Sequence, residues 1–380
     1  MKIAVVIPEF GLIGGAEAFA WEVTGRLARQ PDLEIHLFAH RFQGVVRDPI
    51  TFHKIPPILF PRFFRPIGFA LSVRKHLKRI KPMVVHSHER ILESDLFTLH
   101  GIPHKTWVKE ARRKRLSLFD RSTAWVEKKG FHSAGEPILL AVSSLVKEET
   151  LKAYDLPDSR VRIVYPGISV ERFDRSNQER WRAEIRRIHG IGEKDVVVLF
   201  VGMNFEMKRL DSLLRSAAYL RKKGMSGLKV LVVGKGDVLK YQGMSRDLEI
   251  GEQVIFAGVS SEVEKYYFAS DMFVMPSRFD TFGMVVLEAM AAGLPVVITR
   301  RVGAKDMVTD GVNGFILDQD GTISDLGDKI ALLFHGETRL AMGERARQVA
   351  LRFTWEKTTR EIAELCRERG RDNPHEKVSR

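Results

Sequence analysis

Residues 277–297 read SRFDTFGMVVLEAMAAGLPVV, and this string holds the residue types best suited to chemistry. Asp280 and Glu288 stand eight positions apart, with Thr281, Phe282 and Gly283 between them and a helix expected to open near Gly283. A glycine there lets a ligand come close to the backbone. The unpaired amides of a helix's first turn suit phosphate or sugar oxygens. Asp280, just before the helix, accepts hydrogen bonds from hydroxyls, and Glu288, further along it, reaches a diol such as a ribose. In isolation the aspartate would more simply cap the helix and the glutamate would be a solvated surface acid. Together in this string they favour the reading as a ligand site.

Two series of apolar runs must position these residues. The first comprises residues 2–7, 34–39, 83–86, 97–99 and 138–142. A glycine-rich turn at Gly11, Gly14 and Gly15 follows its first run and leads into a helix from 16 to about 29. The second series comprises 195–201, 229–233, 254–257, 272–275 and 295–298. Strand-length runs separated by helical segments imply βαβ units and parallel sheets. The expected architecture is therefore α/β, two doubly wound Rossmann-like domains facing a cleft, with ligands at the carboxyl ends of the strands. Residues 1–168 form the first domain, 169–352 the second, and 353–380 a closing helix and tail able to pack back on the first.

Several classes are excluded. The single cysteine, Cys366, permits neither a disulfide framework nor a multi-cysteine metal site. The phosphate-loop signature GxxxxGK[ST] is absent. The dinucleotide fingerprint fails after the first strand, where the glycines fall at 11, 14 and 15. It fails again at Gly234-Lys-Gly236, where Leu239 replaces the third glycine. No apolar run is long enough to span a bilayer, and the N-terminus lacks the shape of a signal peptide, so a cytoplasmic location is expected. The charge is informative: residues 1–168 carry 27 basic and 17 acidic side chains, against 34 and 31 in the remainder. Such a concentration attracts polyanions: nucleic acid, anionic lipid or a phosphorylated substrate.

The 277–297 string resembles the acidic signature of the family-4 retaining glycosyltransferases of GT-B fold, E-x7-E followed by a helix of small residues. Three further stretches are similar to that family's motifs in the same order. Gly14-Gly15-Ala16-Glu17 resembles its N-terminal glycine loop, Pro166-Gly167-Ile168 its interdomain hinge, and Gly202 with Lys208 its phosphate element. The resemblance implies that Glu288 binds the nucleotide ribose and Asp280 the hydroxyls of the donor sugar. Thr281, Phe282, Gly283 and Met284 would offer backbone contacts to sugar and phosphate. Lys208 would neutralise a diphosphate that gains charge as it departs, Gly14 and Gly15 would contact donor or acceptor, and His100 would lie near the reacting sugar. Three departures are notable: Asp280 replaces the commoner glutamate, Met203 and Met207 stand where cations are frequent, and Arg209, a second candidate cation, stands where relatives often have glycine.

The histidines at 86, 88, 100 and 104 and the Asp318-Gln-Asp320 triplet are the only metal candidates, and neither is expected to hold one. The first lacks acidic or thiolate partners, and the second is an ordinary acidic turn. No cofactor is expected beyond the donor, most simply UDP-glucose. Residues 100–131 most resemble bacterial enzymes that glucosylate the lipopolysaccharide core, which implies a lipid-linked, phosphorylated saccharide acceptor. The basic run 112–115 beside Leu116, Leu118 and Phe119 is read as a helical face for an anionic membrane, placing the protein on the cytoplasmic face of the inner membrane. Rival readings are a sugar-nucleotide epimerase or phosphorylase of the same fold, and a basic nucleic-acid-binding protein. The second shows no module signature, and no nucleic acid is expected.

Overall fold

Apolar runs bounded by turn residues become parallel strands in both halves of the chain. The computed structural model describes residues 1–11, 14–43, 49–57, 60–110, 112, 114–318 and 321–372. Residues 12 and 13 of the glycine-rich turn, Arg113, and Asp320 of the acidic triplet lie outside the described residues. Two units emerge, Met1–Gly167 with Trp355–Arg380, and Ile168–Thr354.

In the first unit the strands are β1 (Lys2–Val6), β2 (Glu9–Phe10), β3 (Glu34–Ala39), β4 (Arg41–Phe42), β5 (Ile50–Lys54), β6 (Val84–Ser87), β7 (Leu96–Leu99), β8 (Ile138–Ala141) and β9 (Val161–Ile163). Seven form one sheet in the order β5-β3-β1-β6-β7-β8-β9, while β2 and β4 pair separately. Residues 3–6 of β1 have no solvent exposure, as a central strand covered on both faces requires. Helix Gly15–Ala28 buries Phe19, Val23 and Leu27, and helix Arg65–Ile80 buries Phe69 and Val73. The closing helix, Trp355–Asp372, belongs to this unit: Trp355 meets Phe19 edge-on at 5.5 Å and Glu356 accepts from Arg26 Nε at 2.8 Å.

In the second unit β10 (Val196–Gly202), β11 (Leu228–Gly234), β12 (Val254–Gly258), β13 (Met272–Met275), β14 (Val296–Thr299) and β15 (Gly314–Leu317) form a six-stranded sheet in the order β12-β11-β10-β13-β14-β15. All of its pairs are parallel. Chain order reverses between β10 and β13, which is where a doubly wound sheet opens a crevice at its carboxyl edge. The ends of β10 and β11 approach closely because Gly234, at φ +129°, carries no side chain. A Cβ there would lie 1.9 Å from the Gly202 carbonyl oxygen. Among the described residues no helix is long and apolar enough to cross a membrane.

Candidate active site

The loops leaving β10 and β13 flank the reversal of the second sheet, and they bring Lys208 and Asp280 together. The turn after Gly202 is closed by Asn204, whose side chain accepts the Met207 amide at 3.0 Å and whose carbonyl accepts the Lys208 amide at 3.0 Å. The loop after β13 is fastened to it, since the Arg278 amide and the Ser277 hydroxyl both donate to the Met207 carbonyl, at 3.0 and 3.2 Å. Lys208 Nζ therefore meets Asp280 Oδ2 in a direct ion pair, both side chains 17% exposed. Gly202 leaves room for the lysine stem, since a Cβ there would stand 3.2 Å from Lys208 Cγ.

Gly283 opens helix Met284–Ala291 with φ +90°. A Cβ at this position would meet Val302, Met275 and Asp280 within 3.4 Å, so the glycine supplies both the turn and the space. The amides of Gly283 and Met284 start the helix and have no intrahelical partner. The backbone groups of Phe282 hold the loop in place: its amide donates to Asp280 Oδ1 at 3.3 Å and its carbonyl accepts from Ala304 at 2.6 Å. Arg209 takes the left-handed backbone at φ +57°, a conformation glycine adopts more cheaply. Its Nε is buried without a hydrogen-bond partner among the described residues, 4.0 Å from Asp211.

Glu288 lies on the same helix, where Oε2 accepts from the buried Tyr267 hydroxyl at 2.9 Å. Burial raises its carboxyl above the usual range, opposed by the Tyr267 hydrogen bond and by the charge of Arg172. Arg172 is itself paired with Glu264 at 2.7 Å. Tyr267 and Arg172 had no sequence signal, being brought to Glu288 by separate elements. A carboxylate so placed still offers Oε1 to a ligand hydroxyl. Glu288→Ala is expected to weaken binding of a nucleoside diphosphate by about 10–100-fold, as for loss of a hydrogen bond to a charged group. Calorimetric titration with UDP checks this, and an unchanged affinity would remove Glu288 from the site.

In the first unit, Gly14 is the extended residue before helix Gly15–Ala28, and a Cβ on it would meet Glu17 Oε2 at 2.7 Å. His88 and His100 follow β6 and β7 at the carboxyl edge. Their rings stack at 5.2 Å, share a 3.0 Å hydrogen bond between Nδ1 of His88 and Nε2 of His100, and pack beneath Phe19. His86 Nε2 bonds Thr98 Oγ1 at 2.8 Å. His86 Nδ1 and His88 Nε2 are buried with no partner among the described residues. His104 is apart from this stack, pairing with Asp120 at 2.9 Å.

Burial pushes His86 down to about 4 and, with the charge of His86, His100 down to about 3. Burial, followed by the neighbouring imidazoles, lowers His88 as well. All three are neutral in the fold at pH 7, whereas the unfolded chain takes up their protons near pH 6.5. Stability is therefore complete above pH 6.5 and is lost as pH falls towards about 4, by up to about 1.4 kcal/mol per histidine per pH unit. A lower urea midpoint at pH 5 than at pH 7.5 is expected, and equal midpoints would contradict buried neutral imidazoles.

One charged network was not foreseen. Glu127, 3% exposed, accepts from Arg90 Nε at 2.6 Å, the His104 amide at 2.9 Å and the Tyr154 hydroxyl at 2.5 Å. It borders a cavity of about 50 Å³ that His88 and His100 also line. The basic run is not the continuous helix that was expected. Helix His104–Glu110 ends before it, and the next helix, Leu118–Phe131, begins at Ser117 with a capping box to Asp120. Arg112, Lys114 and Arg115 lie in the non-helical connection, with Arg112 over the Trp107 ring at 4.2 Å. Leu116 and Leu118 beside them are 39% and 62% exposed.

This fold is that of the GT-B glycosyltransferases. WaaG, a glycosyltransferase involved in lipopolysaccharide biosynthesis, matches with a TM-score of 0.82 over 96% of this chain and 99% of that one, at 21% identity. The Anabaena protein HepE, solved in complex with UDP-glucose, matches with a TM-score of 0.73 over 96% and 98%, at 17% identity. Residues 13–172 match the model for Glycosyltransferase Family 4, and residues 182–349 that for Glycosyl transferases group 1. The chain belongs to the glycosyltransferases defined by these two domains. Among curated sequences, the D-inositol 3-phosphate glycosyltransferase of Corynebacterium urealyticum is 33% identical over 225 residues, covering 57% of this chain and 53% of that protein. The chain spans about half the length of the curated relatives it matches.

Proposed function

We propose that the protein transfers a hexosyl group, glucose from UDP-glucose, to a lipopolysaccharide-core or related cell-envelope acceptor, with retention and without a metal. The observation carrying this is the Lys208–Asp280 pair at the start of helix Met284–Ala291. A donor exchanges with that pair: the diphosphate takes the ammonium, and sugar hydroxyls donate to the freed carboxylate. The acceptor oxygen then bonds to the anomeric carbon as the carbon–phosphate-oxygen bond breaks, and the acceptor proton passes to the departing phosphate. Attack from the face the diphosphate leaves gives retention with no carboxylate nucleophile. The growing phosphate charge is met by Lys208 and the helix amides. HepE's complex with UDP-glucose supports the donor, and WaaG's part in lipopolysaccharide biosynthesis the acceptor.

The likeness to D-inositol 3-phosphate glycosyltransferases favours a second reading of the acceptor, as a soluble phosphorylated polyol. Incubation of UDP-glucose with each acceptor class, followed by NMR of the anomeric coupling in the product, decides between them and tests retention. Nucleotide release that needs no acceptor would point instead to an epimerase or phosphorylase. EDTA is expected to leave the rate unchanged, and a loss restored by one divalent metal would overturn the metal-free reaction.

For a lipid-linked acceptor, Arg112, Lys114 and Arg115 with exposed Leu116 and Leu118 form the proposed contact with an anionic membrane. Each cation near such a surface contributes about 1 kcal/mol. Neutralising the three is therefore expected to weaken binding to phosphatidylglycerol vesicles by on the order of 100-fold, with a steep salt dependence. Equal binding to neutral and anionic vesicles would contradict this role.

A further inference from the structure

The first unit holds a second recess, at the other end of its sheet from His88 and His100. Lys2 opens β1, Met83 precedes β6, and Ser94 and Asp95 precede β7, and all four residues line it. The two histidines follow β6 and β7. A four-residue strand is about 13 Å long, so the recess is separate from the carboxyl-edge site. Its volume is about 1120 Å³. Helix Arg65–Ile80 contributes Leu77 and Lys78, and helix Leu118–Phe131 contributes Trp125 and Lys129.

Charge and polarity around it are unbalanced. Arg74 pairs with Glu93 at 2.7 Å, Lys2 lies 3.9 Å from Glu34, and Asp95 accepts the Val85 amide at 2.7 Å. Lys78, Lys81 and Lys129 also line the recess, and the structure gives them no ion pair among the described residues. Lys78 and Lys129 sit in the last turns of their helices and Lys81 just beyond one, positions where the helix dipole favours cations. That preference accounts for lysine at each place, but it does not account for what stands beside them. Trp125 is left 47% exposed in a recess that Met83 and Val85 also line. The Arg74 Nε and the Ser133 hydroxyl, both buried, lack any hydrogen-bond partner among the described residues. An amphipathic ring and ammonium groups without an ion pair around one cavity fit a single ligand chemistry.

We infer that this recess binds a phosphate ester carrying an apolar body, the phosphate among the lysines and the body against Trp125. The ester is either a phospholipid headgroup or a soluble phosphorylated metabolite. The inference does not depend on the donor reading, because UDP stabilisation is a separate readout.

The test is calorimetric titration of the full chain with octyl phosphate, using octanol and inorganic phosphate as controls. Octyl phosphate is expected to bind more tightly than either control. Lys78→Gln/Lys81→Gln/Lys129→Gln is expected to weaken it by on the order of 100-fold, and Trp125→Ala by about 10-fold, with the thermal shift given by UDP unchanged in both. Loss of phosphatidylglycerol-vesicle binding in the triple-lysine variant assigns the site to a lipid headgroup. Retained vesicle binding with loss of octyl phosphate assigns it to a soluble ester. No octyl phosphate binding by the wild type, or equal affinity in the lysine variant, would overturn the inference.

Discussion

Lys208→Ala is expected to lower kcat by about 10²–10³-fold, the effect of removing one preorganised donor from a developing oxyanion, with a much smaller change in KM. The reason is differential binding. Contacts to the nucleoside are equal in the ground and transition states, whereas the phosphate gains charge only as the glycosidic bond breaks. Lys208 is already held at the reaction edge by its bond to Asp280 and by the turn through Asn204, so little reorganisation is needed when that charge appears. Lys208→Arg retains the charge but not the geometry and should recover part of the rate. Steady-state kinetics separate the cases. A change in KM with kcat intact would mean that Lys208 binds donor uniformly and takes no part in stabilising the leaving group.

Glu127→Ala is expected to cost about 3 kcal/mol of stability, the low end of the range for breaking a buried ion pair, because Arg90 keeps 26% of its exposure. The substitution takes the acceptor from three donors at once: Arg90 Nε, the Tyr154 hydroxyl and the His104 amide, leaving Arg90 only its pair with Glu89 at 3.2 Å among the described residues. Burial already holds the Tyr154 hydroxyl above its usual range, with the charge of Glu127 adding to the effect, so it has no charged alternative at neutral pH. Against a total stability of about 5–15 kcal/mol, such a loss is readily seen in urea unfolding. Glu127→Gln keeps the shape and an acceptor oxygen and should cost less. A loss below about 1 kcal/mol for the alanine variant would show the network to be solvated and dispensable.

The contrast between Glu127 and Asp280 shows what the sequence could and could not reveal. Asp280, Gly283 and Glu288 lie within one loop and helix, so their spacing alone brings them into one neighbourhood. Glu127 meets partners 37 and 27 positions away through tertiary packing, and no periodicity encodes that. Central strands were legible for the same local reason. Residues 34–39 and 272–275 are largely apolar runs, and their strands have the bounds the pattern gave. Two strands of the seven-stranded sheet were missed, Ile50–Lys54 and Val161–Ile163, and they are its two edges; the short separate pair Glu9–Phe10 and Arg41–Phe42 was missed as well. Edge strands bury less, and the first reads ITFHK, with three of its five residues exposed. The error at 112–115 had an available remedy: Ser117-x-x-Asp120 is a capping box, which marks the start of a new helix.

The central claim, that the second unit binds a nucleoside-diphosphate sugar at Lys208, Asp280 and Glu288, is tested most directly by thermal shift across a series of nucleotide sugars. Ligand that binds only the folded chain raises the melting temperature in proportion to the logarithm of its concentration over Kd. UDP-glucose is predicted to raise the midpoint of the wild type progressively, to raise that of Glu288→Ala far less at the same concentration, and to raise that of Lys208→Ala by only somewhat less than the wild type. No shift with any nucleotide sugar, or equal shifts in the wild type and Glu288→Ala, would contradict the account.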